Sequence, residues 1–201
     1  MKQGSRMKQR QMSFQQYRNL DLFLFCIMLA VSETLIVVAG RKWFPGQLYT
    51  ASVTAAVTAI VMMRWNGWAG IHAMAGGLIF CLAGGGTGRQ FLIYMIGNEA
   101  ALGALLLLRL CGKNRIREEK LMTLLFALSV QLLMQLGRGA VALVFGASVK
   151  TCWNFFTTDA LSDVFTMVIV WIASRLDGVL EDQKSYLLRV HEQMEREKGG
   201  F

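Results

Sequence analysis

The feature that most constrains this chain is a series of long apolar runs separated by short charged or glycine-rich segments. A helix needs about 20 apolar residues to cross the hydrocarbon of a bilayer, and it satisfies its own backbone polar groups there. With 54% hydrophobic and 17% charged residues and a mean hydropathy of +0.42, the chain is too apolar for an ordinary soluble domain. We therefore predict an all-α integral membrane protein, a bundle of six transmembrane helices. The predicted spans are residues 20–39, 47–63, 65–84, 91–111, 121–146 and 155–176.

Lysine and arginine are distributed unevenly between the connections of these spans. Cytoplasmic connections of membrane proteins carry an excess of both residues. If six spans are crossed, most of the 21 lysines and arginines fall on the side that holds both ends of the chain. This predicts a multi-pass protein of the cell membrane with cytoplasmic N and C termini. It divides the chain into a basic cytoplasmic segment (1–19), a six-helix transmembrane domain (20–176) and a cytoplasmic helical tail (177–201).

The net charge of +8 comes from these clusters between apolar runs, so it indicates orientation rather than binding of nucleic acid. The four cysteines lie far apart, without the C-x-x-C spacing of zinc or redox sites. The sequence also contains no P-loop, no H-E-x-x-H motif and no G-x-S-x-G elbow. We expect no cofactor, no metal site and no catalytic residue.

Several ionisable and amide side chains fall inside the predicted spans, where they are costly unless they face the bundle interior or a water-filled cavity. At a rise of about 1.5 Å per residue, most of them, including Glu33, lie in the outer half. Polar groups bordered by aromatic rings are typical of a pocket for an extracellular solute. The predicted substrate-binding residues are Asn98, Glu99, Arg138, Asp159 and Asp163, with Phe91 and Trp153 as apolar walls.

Other interpretations of these residues stay open at this point. Each aromatic ring could instead belong to the belt at the membrane interface. Arg138 could neutralise Glu99 or Asp163 as a structural pair rather than contact a ligand. Because acids outnumber bases in the predicted set, the expected ligand is planar, nitrogen-rich or cationic rather than a carboxylate.

Three features together resemble the substrate-binding S component of energy-coupling factor (ECF) transporters. They are the size, the six spans with both ends inside, and the order of the motifs. The motifs are a glycine-rich third span (residues 64–78), the segment Tyr94-Met95-Ile96-Gly97-Asn98, and Asp-Gly-Val-Leu-Glu-Asp-Gln-Lys at residues 177–184. The resemblance covers residues 20–188.

The resemblance implies the membrane-embedded substrate-binding subunit of an ATP-driven importer, which captures a vitamin or related micronutrient from outside. Its partners would be a transmembrane coupling subunit and a cytoplasmic ATPase pair, so the chain itself would not be an enzyme. In that family, small residues on the first span contact the coupling subunit. The nearest match here is Ala30 with Thr34, where threonine departs from the usual alanine, and ordinary packing between spans is the alternative.

Two other classes stay open from the sequence. One is an integral membrane enzyme that acts on lipid-linked phosphates, with Arg138 and Asp159 as catalytic parts. The other is a membrane assembly protein that binds no ligand.

Overall fold

The computed structural model describes residues 13–46, 50–176 and 178–189, and the secondary structure in this part of the chain is helical throughout. This confirms the all-α class. Short 3-10 helices lie at Asn66–Trp68 and Glu99–Ala104, and residues 183–189 are also helical. The α-helices are α1 (Phe14–Trp43), α2 (Thr54–Trp65), α3 (Ala69–Gly84), α4 (Gly88–Asn98), α5 (Leu105–Cys111), α6 (Lys113–Glu118), α7 (Lys120–Val144), α8 (Val149–Thr158) and α9 (Ala160–Arg175).

Four helical stretches of the described chain are long and apolar enough to cross a membrane, or five if the bent pair α8 and α9 is counted as one span. They are Phe14–Trp43, Thr54–Gly84, Gly88–Cys111 and Lys120–Val144. The bend between α8 and α9 is 43°. These stretches are consistent with a helical membrane protein. The count of six spans and the cytoplasmic position of the ends stay predictions.

The stretch Thr54–Gly84 is not one straight rod, because the chain reverses at Asn66–Trp68. A Cβ atom added to Gly76 in α3 would lie 2.8 Å from the Cβ of Thr54 at the start of α2. In a straight helix, these two residues would be about 33 Å apart. Helices α2 and α3 therefore form an antiparallel hairpin, with every residue of α2 buried.

Helix α2 is shorter than the second predicted span, which began at residue 47. Residues 50–53 are not helical, and residues 47–49 lie outside the described part. The physical reason is that backbone groups of residues 50–53 bond elsewhere: Thr50 N–H donates to the Thr158 carbonyl at 2.9 Å, and Ser52 N–H to Ser162 Oγ at 3.1 Å. With 12 residues, α2 is about 18 Å long.

The start of α1 and the described tail lie at the same end of the molecule, which we call the tail end. Tyr17 donates a hydrogen bond to Gln183 at 3.0 Å. Arg64 forms two hydrogen bonds with the Asp21 carboxylate, at 2.8 and 2.9 Å, and also donates to the Gly178 carbonyl. Residues 1–12 of the predicted basic segment and residues 190–201 of the predicted tail lie outside the described residues.

The opposite end, which we call the loop end, holds the turns around residues 44–46, 85–87 and 145–148. Arg41 donates to the Ala83 carbonyl at 3.0 Å, and Arg89 donates to the Phe145 carbonyl. Local sequence explains the helix boundaries here. Thr87 caps α4 in a reciprocal pair of bonds with Gln90.

Candidate functional site

Two glycines let α4 and α7 cross in direct backbone contact. A Cβ atom on Gly97 would lie 2.6 Å from the backbone nitrogen of Arg138, and one on Gly137 would overlap the Gly97 carbonyl oxygen. Small residues allow such close approach between membrane helices. Each glycine is followed by a polar residue, Asn98 or Arg138, so the crossing brings these two side chains together.

Arg138 is the centre of a buried cluster and is only 3% exposed. Its Nε donates to Asn98 Oδ1 at 2.7 Å, and its Nη1 donates to Asp159 Oδ2 at 2.6 Å. The guanidinium carbon lies 4.6 Å from the centre of the Tyr94 ring, within range of a cation–π contact. We call Asn98, Arg138, Asp159 and Tyr94 the arginine cluster. Arg138 is thus paired, but with Asp159 rather than with Glu99 or Asp163.

The second oxygen of Asp159 is also engaged, because the Thr50 hydroxyl donates to Oδ1. Ser162 Oγ in turn donates to the Thr50 carbonyl at 3.1 Å. Asp159 lies at the bend between α8 and α9, so it joins α7 to α9 and to the non-helical segment at Thr50. Buried charges are tolerated when they are paired and hydrogen-bonded in this way.

The other predicted polar residues lie around this cluster rather than in it. Asp163, one turn after Asp159, accepts a hydrogen bond at 2.7 Å from Nε2 of Gln135, which lies nearly one turn before Arg138 on α7. Glu99 faces the start of α3, where a Cβ atom on Gly70 would lie 2.7 Å from Glu99 Oε2. No ion pair joins Glu99 to Arg138 in the described chain.

The two residues predicted as apolar walls, Trp153 and Phe91, are not members of the arginine cluster. Trp153 is 65% exposed and packs against Phe156, with the ring centres 5.7 Å apart. Phe91 is half-buried on α4, nearly one turn before Tyr94. Tyr94 is thus the aromatic residue of this helix that contacts Arg138.

A cavity of about 470 Å³ opens at the loop end, between α1, α3 and α4. This volume is within the usual range of small-molecule pockets. Thr50 and Tyr94 line the cavity and also contact the arginine cluster, so the cluster forms part of its support. The other principal lining residues are Ile36, Val37, Arg41, Phe44, Phe80, Cys81 and Gln90, with glycines at positions 40, 46 and 84–86.

Sequence reasoning missed two kinds of residue here. Arg41 and Gln90 lie at helix ends, where the sequence pattern indicated only a turn outside the membrane. Thr50 lies in a segment that was predicted to be helical. The signal that could have pointed to Thr50 is its position beside Ser52 and Thr54, since hydroxyl residues often bond to nearby backbone groups.

Glu33 is a further buried polar residue that was not predicted as part of a site. It is 0% exposed, and its Oε2 accepts a hydrogen bond from the Val53 N–H at 2.9 Å. Val53 precedes the first residue of α2, whose N-terminus leaves unpaired N–H groups and a partial positive charge. Glu33 therefore stabilises the start of the buried helix α2.

The residues predicted to contact a coupling subunit lie on α1. Thr34 is exposed and Ala30 half-buried. Ile27, Val31 and Val38 on the same helix are 46%, 55% and 46% exposed. This face of α1 is apolar and is covered by no other described element.

Among the described residues, no three His, Cys, Asp or Glu side chains come close enough together to hold a metal ion. Comparison with known proteins gives no match to this chain among family models, curated proteins or solved structures.

Proposed function

We propose that this chain is the membrane-embedded substrate-binding subunit of an ATP-driven importer of the ECF type, which captures a vitamin or related micronutrient from outside. The observation that carries the proposal is the cavity of about 470 Å³ at the loop end. The positive-inside count predicts that this end faces outward. A cavity there has the position that a receptor for an external solute needs.

The support beneath the cavity is a buried network of hydrogen bonds between helices, which favours a preformed pocket over simple packing. Arg138 and Asp159 are nearly inaccessible, and their bonds link α4, α7 and α9. Thr50 and Tyr94 connect this network to the cavity wall. A pocket held in shape before the ligand arrives loses less conformational entropy on binding.

The proposal is preferred to a membrane enzyme because the groups considered for catalysis are already occupied. Both oxygens of Asp159 accept hydrogen bonds, and Arg138 is 3% exposed. A general acid, base or nucleophile must come within hydrogen-bond reach of its substrate. The two side chains instead serve as a structural support for the neighbouring cavity.

The proposed partners are a transmembrane coupling subunit and a cytoplasmic ATPase pair. The exposed apolar face of α1 around Ala30 and Thr34 is suited to contact another transmembrane helix. Small side chains let two helices approach closely in lipid. A bulky side chain at this face should therefore prevent the contact without affecting the interior of the chain.

The test is coexpression of the tagged chain with the coupling subunit and ATPase pair of its own source organism. Copurification of all partners in detergent is expected, together with ATP-dependent uptake in proteoliposomes. Thr34→Trp should abolish copurification. Leu106→Trp on α5, where the native side chain is 61% exposed, is the matched control and should not affect it.

The possible outcomes separate the parts of the proposal. If the wild-type chain does not copurify with these partners and shows no uptake, the proposed function is wrong. If the wild type copurifies and Thr34→Trp does so equally well, the proposed contact face on α1 is wrong, while the importer assignment stands.

A further inference from the structure

The cavity at the loop end contains a cation that no acidic side chain neutralises. Arg41 lines the cavity, and none of the described residues that line it is an aspartate or a glutamate. Arg41 Nη1 donates to the Ala83 carbonyl at 3.0 Å, and within the described residues Arg41 has no ion pair. A guanidinium carries five N–H donors, so most of its donors are free to bind a ligand.

Each acid near the cavity already accepts at least one hydrogen bond from another group. Asp159 is paired with Arg138, and both side chains are 4% exposed. Asp163 accepts a bond from Gln135. Glu33, fully buried about one turn from the cavity wall on α1, binds the N–H of Val53 at the start of α2. The sequence-based expectation of a cationic ligand counted Glu99, Asp159 and Asp163 against Arg138. None of these three acids is among the described residues that line the cavity, so the count does not apply to it.

The remaining charges at the loop end reinforce the positive potential. Lys42 and Arg89 are exposed there, and Lys150 follows the turn at residues 145–148. Clefts lined by charges of one sign attract and concentrate small ions of the opposite sign. The end of the molecule at which the cavity opens is therefore suited to attract anions.

The walls of the same cavity offer apolar contact surface to a ligand. The rings of Phe80 and Tyr94 stack on each other with their centres 4.9 Å apart and their planes 18° from parallel, so the faces turned toward each other are covered. Phe44 and Val37 add apolar surface. Ligand pockets typically combine such apolar walls with a small number of polar groups that fix the orientation of the ligand.

We propose that this cavity binds a small organic anion, with its carboxylate or phosphate group at Arg41 and its apolar body against the wall formed by Val37, Phe44 and Phe80. This ligand class rests on the proposed function. Gln90 also lines the cavity; its side-chain oxygen accepts from the Thr87 N–H, and its amide NH₂ group can donate to the ligand. Binding of the anion compensates the charge of Arg41.

The test uses three probes of similar shape and different charge: indole-3-acetate, indole-3-acetamide and tryptamine. Binding of each to the full chain in lipid nanodiscs is measured by isothermal titration calorimetry. Indole-3-acetate should bind at least about tenfold more tightly than the neutral amide, because a hydrogen bond to a charged group is stronger than one to a neutral group. Tryptamine should bind most weakly.

Arg41→Gln provides the second arm of the experiment. This variant should weaken binding of indole-3-acetate by about 10- to 100-fold, the usual effect of losing a charge-assisted hydrogen bond, and leave binding of the amide unchanged. Arg89→Gln is the matched control: it removes the same charge from the same end, but Arg89 does not line the cavity, so this variant should weaken binding of indole-3-acetate much less than Arg41→Gln. The melting temperature of each variant establishes that it is folded.

The proposal is overturned if tryptamine or the amide binds as tightly as indole-3-acetate, if none of the three binds, or if folded Arg41→Gln retains wild-type affinity. The importer assignment is judged separately by copurification with the coupling subunit and ATPases. If the chain copurifies with these partners but binds tryptamine more tightly than indole-3-acetate, only the proposal of an anionic ligand is rejected. Binding of indole-3-acetate without copurification rejects the importer alone.

Discussion

The crossing of α4 and α7 leads to a sharp prediction about Gly137. A Cβ atom at this position would overlap the carbonyl oxygen of Gly97 and lie 2.5 Å from the Cβ of Ala100. Real Cβ atoms essentially never have neighbours within 3.0 Å. Since one of the clashing atoms belongs to the backbone, a change of rotamer cannot relieve the overlap. In Gly137→Ala, α4 and α7 must separate.

A second glycine on the same helix provides a matched control. A Cβ atom on Gly139 would lie 3.6 Å from the Cβ of Cys152, which is an ordinary contact. Both substitutions gain about 1 kcal/mol of helix propensity, because alanine is a better helix former than glycine. The difference between the two variants therefore isolates the cost of overpacking, which is typically about 1–3 kcal/mol.

The assay is thermal unfolding in one detergent, followed by the fluorescence of the five tryptophans. For a chain of this size, 1 kcal/mol shifts the Tm by about 2–4 °C. Gly137→Ala should therefore unfold about 2–12 °C below Gly139→Ala. Equal midpoints for the two variants would refute the backbone contact between α4 and α7.

Three further predictions concern the buried polar groups and the tail. Asp159→Asn should destabilise the chain by about 3–5 kcal/mol because it leaves Arg138 buried without a countercharge. The double variant Arg138→Gln with Asp159→Asn should lose less stability than the sum of the two single variants. If the losses in unfolding free energy simply add, the pairing of Arg138 with Asp159 is contradicted. Glu33→Ala should lower the free energy of unfolding by about 1–2 kcal/mol because it removes the hydrogen-bond acceptor at the start of α2. Glu33→Gln keeps an acceptor oxygen and should lower it less. Equal losses of unfolding free energy in the two variants would show that this acceptor does not stabilise the chain. Burial acts to raise the pKa of Asp182, but the hydrogen bonds from Lys113 and Ser185 outweigh it and lower this pKa below its ordinary value of 3.8. The contribution of Asp182 to docking of the tail should therefore be present above pH 3.8 and lost as the pH falls through the lowered pKa. Hydrogen exchange of residues 178–189, followed as a function of pH, measures this loss. In Lys113→Gln, the loss of protection should occur at higher pH.

Much of the fold could be predicted because its causes are local. The length of each apolar run and the need to satisfy backbone groups in lipid indicate helices. Ser13 and Thr87 each cap a helix through a bond to a residue three positions later. A reversal was expected at Arg64, between the predicted spans 47–63 and 65–84, and it lies a few residues later, at Asn66–Trp68. These features depend on neighbours in the sequence, so a sequence pattern is enough to indicate them.

The start of α2 could not be predicted in the same way. The apolar run suggested a helix from residue 47, but the backbone of residues 50–53 bonds to Thr158 and Ser162. These partners are more than 100 positions away in the chain. Hydrophobic periodicity contains no information about such long-range bonds.

For the candidate site, the sequence pattern was enough to show which residues are too polar to face lipid, and Asn98, Arg138 and Asp159 were among them. That these three form one cluster, and that Glu99 faces Gly70 instead, became clear from the folded chain. The same holds for Arg41, which lines the cavity and has no ion pair among the described residues. The free energy of placing a polar side chain in lipid depends on that side chain alone, whereas the partner it bonds to depends on how the helices are rotated and how they cross. Here α4 and α7 cross where Gly97 contacts Gly137, two residues that are 40 positions apart in the sequence and meet only in the folded chain.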